Sequence, residues 1–150
     1  MGQQQLLLII LGVIIVGIAV AVGINMFTAS ASSANRDAVT SDLANLASMA
    51  QQHYRRPGAM GGGNNSFDGT RGGTRWIIPV QLQTTANGVY SVTITGGFIG
   101  PDSVVIVGVG TEPGNLTTFA NDTSSRGATT GLVQVKTTVT PIRMSTAVDN

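Results

Sequence analysis

The stretch MGQQQLLLIILGVIIVGIAVAVGINMF, residues 1–27, contains no charged side chain, and the first in the chain is Arg36. Its central run, Leu6 to Ile24, is 19 uncharged residues, which as a helix at about 1.5 Å per residue spans about 28 Å, close to the hydrocarbon thickness of a bilayer. Lipid offers no hydrogen-bond partners, so a single apolar segment satisfies its own backbone only as a helix, whatever the helix preference of its many Ile and Val in water. Gly12, Gly17 and Gly23 interrupt the run, and Gly17/Ala21 and Ala19/Gly23 are pairs of small residues four apart that let helices approach closely. The plain alternative is a membrane anchor whose glycines have no particular role. A cleaved secretory signal competes as well, since Ala29-Ser30-Ala31 resembles a cleavage site. No Lys or Arg precedes the run, however, and the run exceeds the roughly 7–15 residues of a signal core, so the segment is expected to be retained.

Beyond it, TASASSANRDAVTSDLANLASMAQQHYRR (residues 28–56) has neither Pro nor Gly, and Val39, Leu43, Leu46 and Ala50 recur at helical spacing. Arg55 and Arg56 suit a helix C-terminus and Pro57-Gly58 ends it. The expectation is one helix from Gln3 to Arg56, about 80 Å long, membrane-like over residues 1–27 and amphipathic over 28–56. Residues 57–75, PGAMGGGNNSFDGTRGGTR, form a Gly-rich connector with few apolar anchors. GAMGGG lacks the Lys and Ser/Thr of a phosphate-binding loop. NNSFDG spaces Asn64, Ser66, Asp68 and Gly69 like the start of a calcium loop, but Arg75 stands where a bidentate Glu would close the site, so no metal is expected.

From Trp76 the period turns to two, and residues 76–150 are expected to fold as an antiparallel sheet of three or four strands. GVYSVTITG (88–96) and LVQVKTTV (132–139) alternate, SVVIVGVG (103–110) is continuously apolar like a central strand, and WIIPVQL is confined by Pro79 to an edge or an irregular approach. Asn87-Gly88 and Gly100-Pro101-Asp102 are turn signals. The fold class is therefore α+β: a long N-terminal helix whose second half packs on the sheet around Val39, Leu43, Leu46, Val92, Ile94, Val105, Val107 and Val135. Residues 111–131, rich in Asn, Thr, Ser and Gly, are expected as a long surface loop.

Chemistry is sparse. A net charge of +1, with no basic run longer than Arg55-Arg56, gives no footprint for nucleic acid. The absence of cysteine excludes disulfides and thiolate metal sites. The single histidine, His53, sits at a helix end, where a surface or capping role suits it better than that of a catalytic base, and no carboxylate pair has motif spacing. Neither an enzyme nor a cofactor is expected. Asn64, Asn115 and Asn121 fit the N-glycosylation pattern, which arises easily in a Thr/Asn-rich chain.

A short polar cap, a uniform apolar run, an unbroken amphipathic continuation, a Gly-rich connector and a small sheet together resemble a type IV pilin or a related pseudopilin. The resemblance covers the architecture of the whole chain; its specific part is residues 1–27. It implies removal of a short leader after Gly by a prepilin peptidase, methylation of the new terminus, often Phe or Met, and Glu at the fifth mature residue. With Met1 as the mature, methylated terminus, Gln5 holds that position: it keeps hydrogen-bonding capacity without the charge, and Gln3 and Gln4 offer the terminal amine amide oxygens. Cutting after Gly2 would instead place Leu7 fifth. The kinking Pro that many bacterial members carry near residue 22 is replaced by Val22 and Gly23.

By this resemblance the chain is a major structural subunit of an extracellular filament serving adhesion, surface motility or uptake, held in the inner membrane before an assembly ATPase and platform protein add it to copies of itself. Met1, Gln5, Gly12, Gly17, Ala21 and Gly23 would be the assembly residues. Two alternatives share most of these features: a single-pass membrane-anchored extracellular binding domain that uses loop 111–131, and a secretion-system pseudopilin forming a short filament.

Overall fold

The computed structural model describes residues 2–95, 102–113 and 132–148. One helix, α1, runs from Gly2 to Arg55, 54 residues without a break, about 80 Å at 1.5 Å per residue. Its buried positions Val39, Leu43, Leu46, Ala47 and Ala50 all lie in the second half. They form the apolar stripe that the 3.6-residue repeat places on one face. Four strands follow, β1 (Gly88–Thr95), β2 (Ser103–Pro113), β3 (Leu132–Val139) and β4 (Met144–Val148), in an antiparallel sheet of order β1-β2-β3-β4. The second half of α1 lies across β2 and β3, giving the expected α+β arrangement.

Register decides which strand residues meet the helix. Tyr90, Val92 and Ile94 pair with Gly108, Ile106 and Val104, which pair in turn with Val135, Thr137 and Val139, so these nine share one face of the sheet. On it Val104, Ile106, Val135 and Val139 are fully buried, and Val92 and Ile94 pack partly buried against them. The expected core residue Val105 is therefore a correction. It lies on the opposite face and is only half-buried, while Val107 on that face is buried. The helix can come down on β2 because that strand carries glycine where α1 crosses. A Cβ at Gly108 would stand 2.8 Å from Val39 Cγ1 and 2.9 Å from Tyr90 Cε1, and one at Gly110 would strike the side-chain oxygen of Asn35.

Of the two readings of WIIPVQL the irregular approach holds: Trp76 and Ile78 are buried in extended chain, and Val80–Gln83 forms a short helix, α2, after Pro79, whose carbonyl accepts from Leu82 N–H at 2.8 Å. The fourth strand is instead Met144–Val148, entered through a turn in which Thr140 N–H donates to Arg143 O at 2.7 Å and Arg143 N–H to Thr140 Oγ1 at 2.9 Å. Residues Thr111 to Pro113 belong to β2, past a register shift after Val109, so they are strand and not loop. The rest of the expected loop and the Gly100-Pro101 turn lie outside the described residues.

The connector is better anchored than its composition suggests. Phe67 is fully buried, its ring centroid 4.8 Å from that of Tyr54. The chain turns back over the end of α1, so that Gly63, Asn65 and Asn64 donate their N–H groups to the carbonyls of His53, Tyr54 and Arg56 at 2.8, 2.9 and 3.0 Å. A helix end leaves its last carbonyls without intrahelical partners; here the connector supplies them. Asn64 and Asn65 adopt left-handed backbone to do so, with φ of 53° and 60°, a conformation that Asn tolerates better than most residues.

Candidate assembly surface

Every residue from 2 to 30 is exposed. Along Leu6 to Phe27 the large apolar side chains are between 48 % (Leu11) and 74 % (Phe27) exposed, with no covered face. The most apolar window of α1 has a mean hydropathy of 3.2 with none of it buried, long and apolar enough to cross a membrane. The fourteen Leu, Ile and Val residues between Leu6 and Ile24 would each gain about 1.5–3 kcal/mol from burial, on the order of 20–40 kcal/mol together. Burial on that scale favours lipid or other apolar surfaces over water around this half of α1.

Within this half, no atom lies within 4 Å of where a Cβ would stand at Gly12, Gly17 or Gly23. Each glycine in a helix interior costs about 1 kcal/mol relative to alanine, and the chain's own packing gives no return for it. At about 100° per residue, Gly12, Ala19 and Gly23 fall on one stripe of the helix, while Gly17 and Ala21 fall on the flank turned away from it. The helix thus presents two slender approaches. Gln5 is exposed on the same apolar rod; Met1 lies outside the described residues.

The other sequence candidates sit in the head. His53 Nε2–H donates to Thr74 O at 2.8 Å and ties the connector to α1. Asn64 is exposed, but its side-chain amide is engaged with Arg71 O at 2.7 Å; Asn115 and Asn121 lie outside the described residues. The calcium-like spacing does not converge on a centre. Ser66 Oγ and Thr70 Oγ1 both donate to Asp68 Oδ1, while Asn64 turns to Arg71. Among the described residues no group of three His, Cys, Asp or Glu is placed to hold a metal ion.

Carboxylates serve instead as structural acceptors. The hydroxyl of Ser66 and the backbone and hydroxyl of Thr70 hold the Asp68 carboxyl down at about 2. Asp42, on α1, accepts from Tyr90 OH at 2.7 Å, Asn87 Nδ2 at 3.0 Å and Thr85 Oγ1 at 3.4 Å, locking β1 and its turn to the helix. Burial would raise the Asp42 carboxyl, but these three donors together outweigh it and leave it lowered. Burial, and then the bond to Asp42, push the Tyr90 phenol far up, so it stays a donor. Sequence reading missed this network because Asp42 stands more than 40 residues from each of its three donors. No family model, curated protein or solved structure matches the chain.

Proposed function

We propose that the chain is the structural subunit of an extracellular type IV pilus-like filament, stored in the inner membrane by the first half of α1 and polymerised through it. The observation that carries this reading is a helix exposed and apolar on every side over residues 6–24, projecting from a head that clamps only its second half. In the membrane lipid tails surround it; in the filament other copies of the same helix replace them, and neither setting requires water. Lipid is as apolar as a neighbouring helix, so association depends on close dispersion contacts between backbones, which glycine and alanine permit. The two small-residue stripes, Gly12/Ala19/Gly23 and Gly17/Ala21, offer a neighbour on each side, which suits a polymer better than a pair or a lone anchor. A full charge in such an apolar interior is costly unless paired; Gln5 supplies hydrogen bonds near the terminus without one. The resemblance to pilins adds a prepilin peptidase, an assembly ATPase and a platform protein as partners, with adhesion, motility or uptake as the use of the polymer.

The test is to shear the producing cells, pellet the supernatant, image it by electron microscopy, and identify the pelleted chain and its N-terminus by mass spectrometry. Helical filaments built of this chain are expected. A chain that stays wholly with the membrane fraction, with no filaments, would overturn the proposal in favour of an anchored binding domain.

A further inference from the structure

The reversal of the connector gathers charges that are scattered in the sequence. Arg55 and Arg56 close α1, and the chain returns through Thr74, whose N–H donates to Gly62 O at 2.9 Å, to set Arg75 beside them. These three line an open cleft of about 820 Å³, together with Gln52, Ile77 and Pro79. All three arginines are exposed, no acidic side chain lines the cleft, and among the described residues none of their guanidinium groups has an ion-pair or hydrogen-bond partner. The apolar part of the wall is aliphatic: Ile77 is 66 % exposed, whereas the ring of Trp76 is buried at 4 %.

We infer that this cleft binds an acidic peptide segment of a partner protein, one that alternates carboxylates with aliphatic side chains. Guanidinium is the group suited to planar, bidentate pairing with carboxylate, and three of them around one cleft repel one another until such a ligand neutralises them. The exposed aliphatic wall takes the intervening side chains, and the Gln52 amide is placed to meet a peptide backbone. Single-stranded nucleic acid is held largely by stacking on aromatic faces; of the two aromatic rings that line the cleft, Trp76 is buried and His53 is tied through Nε2 to Thr74 O. Within the head itself, Asp42, Asp68 and Asp102 are each engaged by hydrogen bonds to other residues of the head, and none of them lines the cleft.

The experiment uses the full chain in non-ionic detergent and a short fluorescein-labelled peptide alternating Glu and Val, read by anisotropy at low and moderate salt. The expected result is binding that weakens with salt and falls about tenfold or more in Arg55→Gln/Arg56→Gln/Arg75→Gln, is unchanged in Arg143→Gln, and is absent for the Gln-Val counterpart peptide. Arg75→Gln alone lies outside α1 and should weaken binding several-fold with no change in melting, so a folding defect in the triple variant does not decide the matter. Absence of binding at low salt, equal affinity in the Arg75 and triple variants and the parent chain, or tighter binding of oligothymidylate or heparin than of the acidic peptide would overturn the assignment. Each of these readings is made on the unassembled chain, independently of filament formation.

Discussion

Gly17→Leu separates a glycine kept for neighbours from one kept for the chain itself. No atom lies within 4 Å of its Cβ position, so the leucine meets open space, and helix propensity alone favours the variant monomer by about 0.8 kcal/mol. Between packed helices the same side chain holds two backbones apart, and overpacking of this kind costs about 1–3 kcal/mol. At about 1.4 kcal/mol per factor of ten, the equilibrium constant for adding a subunit falls about 5- to 140-fold. The assay compares the sheared filament fraction with the membrane-retained pool by immunoblot, alongside thermal melting of the purified variant in detergent. The expected outcome is a shift from filament to membrane pool with an unchanged head melting temperature. Wild-type filament yield would refute close packing at Gly17. A lowered yield with a lowered melting temperature would refute the intermolecular cause.

Gly108→Ala should do the reverse, because its Cβ would meet Val39 and Tyr90 inside 3.0 Å: the head loses about 1–3 kcal/mol, seen as a lower melting temperature in detergent. Phe67→Ala empties the fully buried anchor of the connector and should cost about 3–5 kcal/mol; trypsin should then cleave at Arg71 and Arg75 sooner than in the parent. Hydrogen bonds hold the Asp42 and Asp68 carboxyls below the ordinary carboxylate range in the folded chain, Asp68 at about 2. A depressed carboxyl gives stability that is present above the unfolded value and lost as pH falls through the folded one. The head should therefore hold its melting temperature down to about pH 4 and lose it between about pH 4 and 2. Asp42→Asn should flatten that acid limb, measured as melting temperature against pH, and an unchanged limb would show that the network around Tyr90 contributes nothing.

Local rules were enough for the helix and for three of the strands. From Gln3 to Arg56 no residue other than isolated glycines opposes a helix, and hydrogen bonds within one segment need no partner, so its length and its two halves can be read directly. The stripe of Val39, Leu43, Leu46 and Ala50 follows from periodicity, as do β1 and β3 from alternation. The exposed rod of residues 6–24 is equally local: a uniformly apolar helix has no single face to give to a head.

What the sequence left open depended on partners distant along the chain. Val104 to Val109 is apolar or glycine throughout, so nothing in β2 marks which face meets α1; the lack of a Cβ at Gly108 and Gly110 decides it, by letting Val39 and Asn35 approach. MSTAV has no alternation and becomes β4 only because β3 offers it a free edge. The Gly-rich connector looks unanchored until the carbonyls at the end of α1 give its amides partners and the core takes Phe67. The same reversal brings Arg75 to Arg55 and Arg56, and pairing across the fold brings Tyr90 and Asn87 to Asp42. A sequence states the charge and shape of each side chain; only the folded chain sets the distances over which they act.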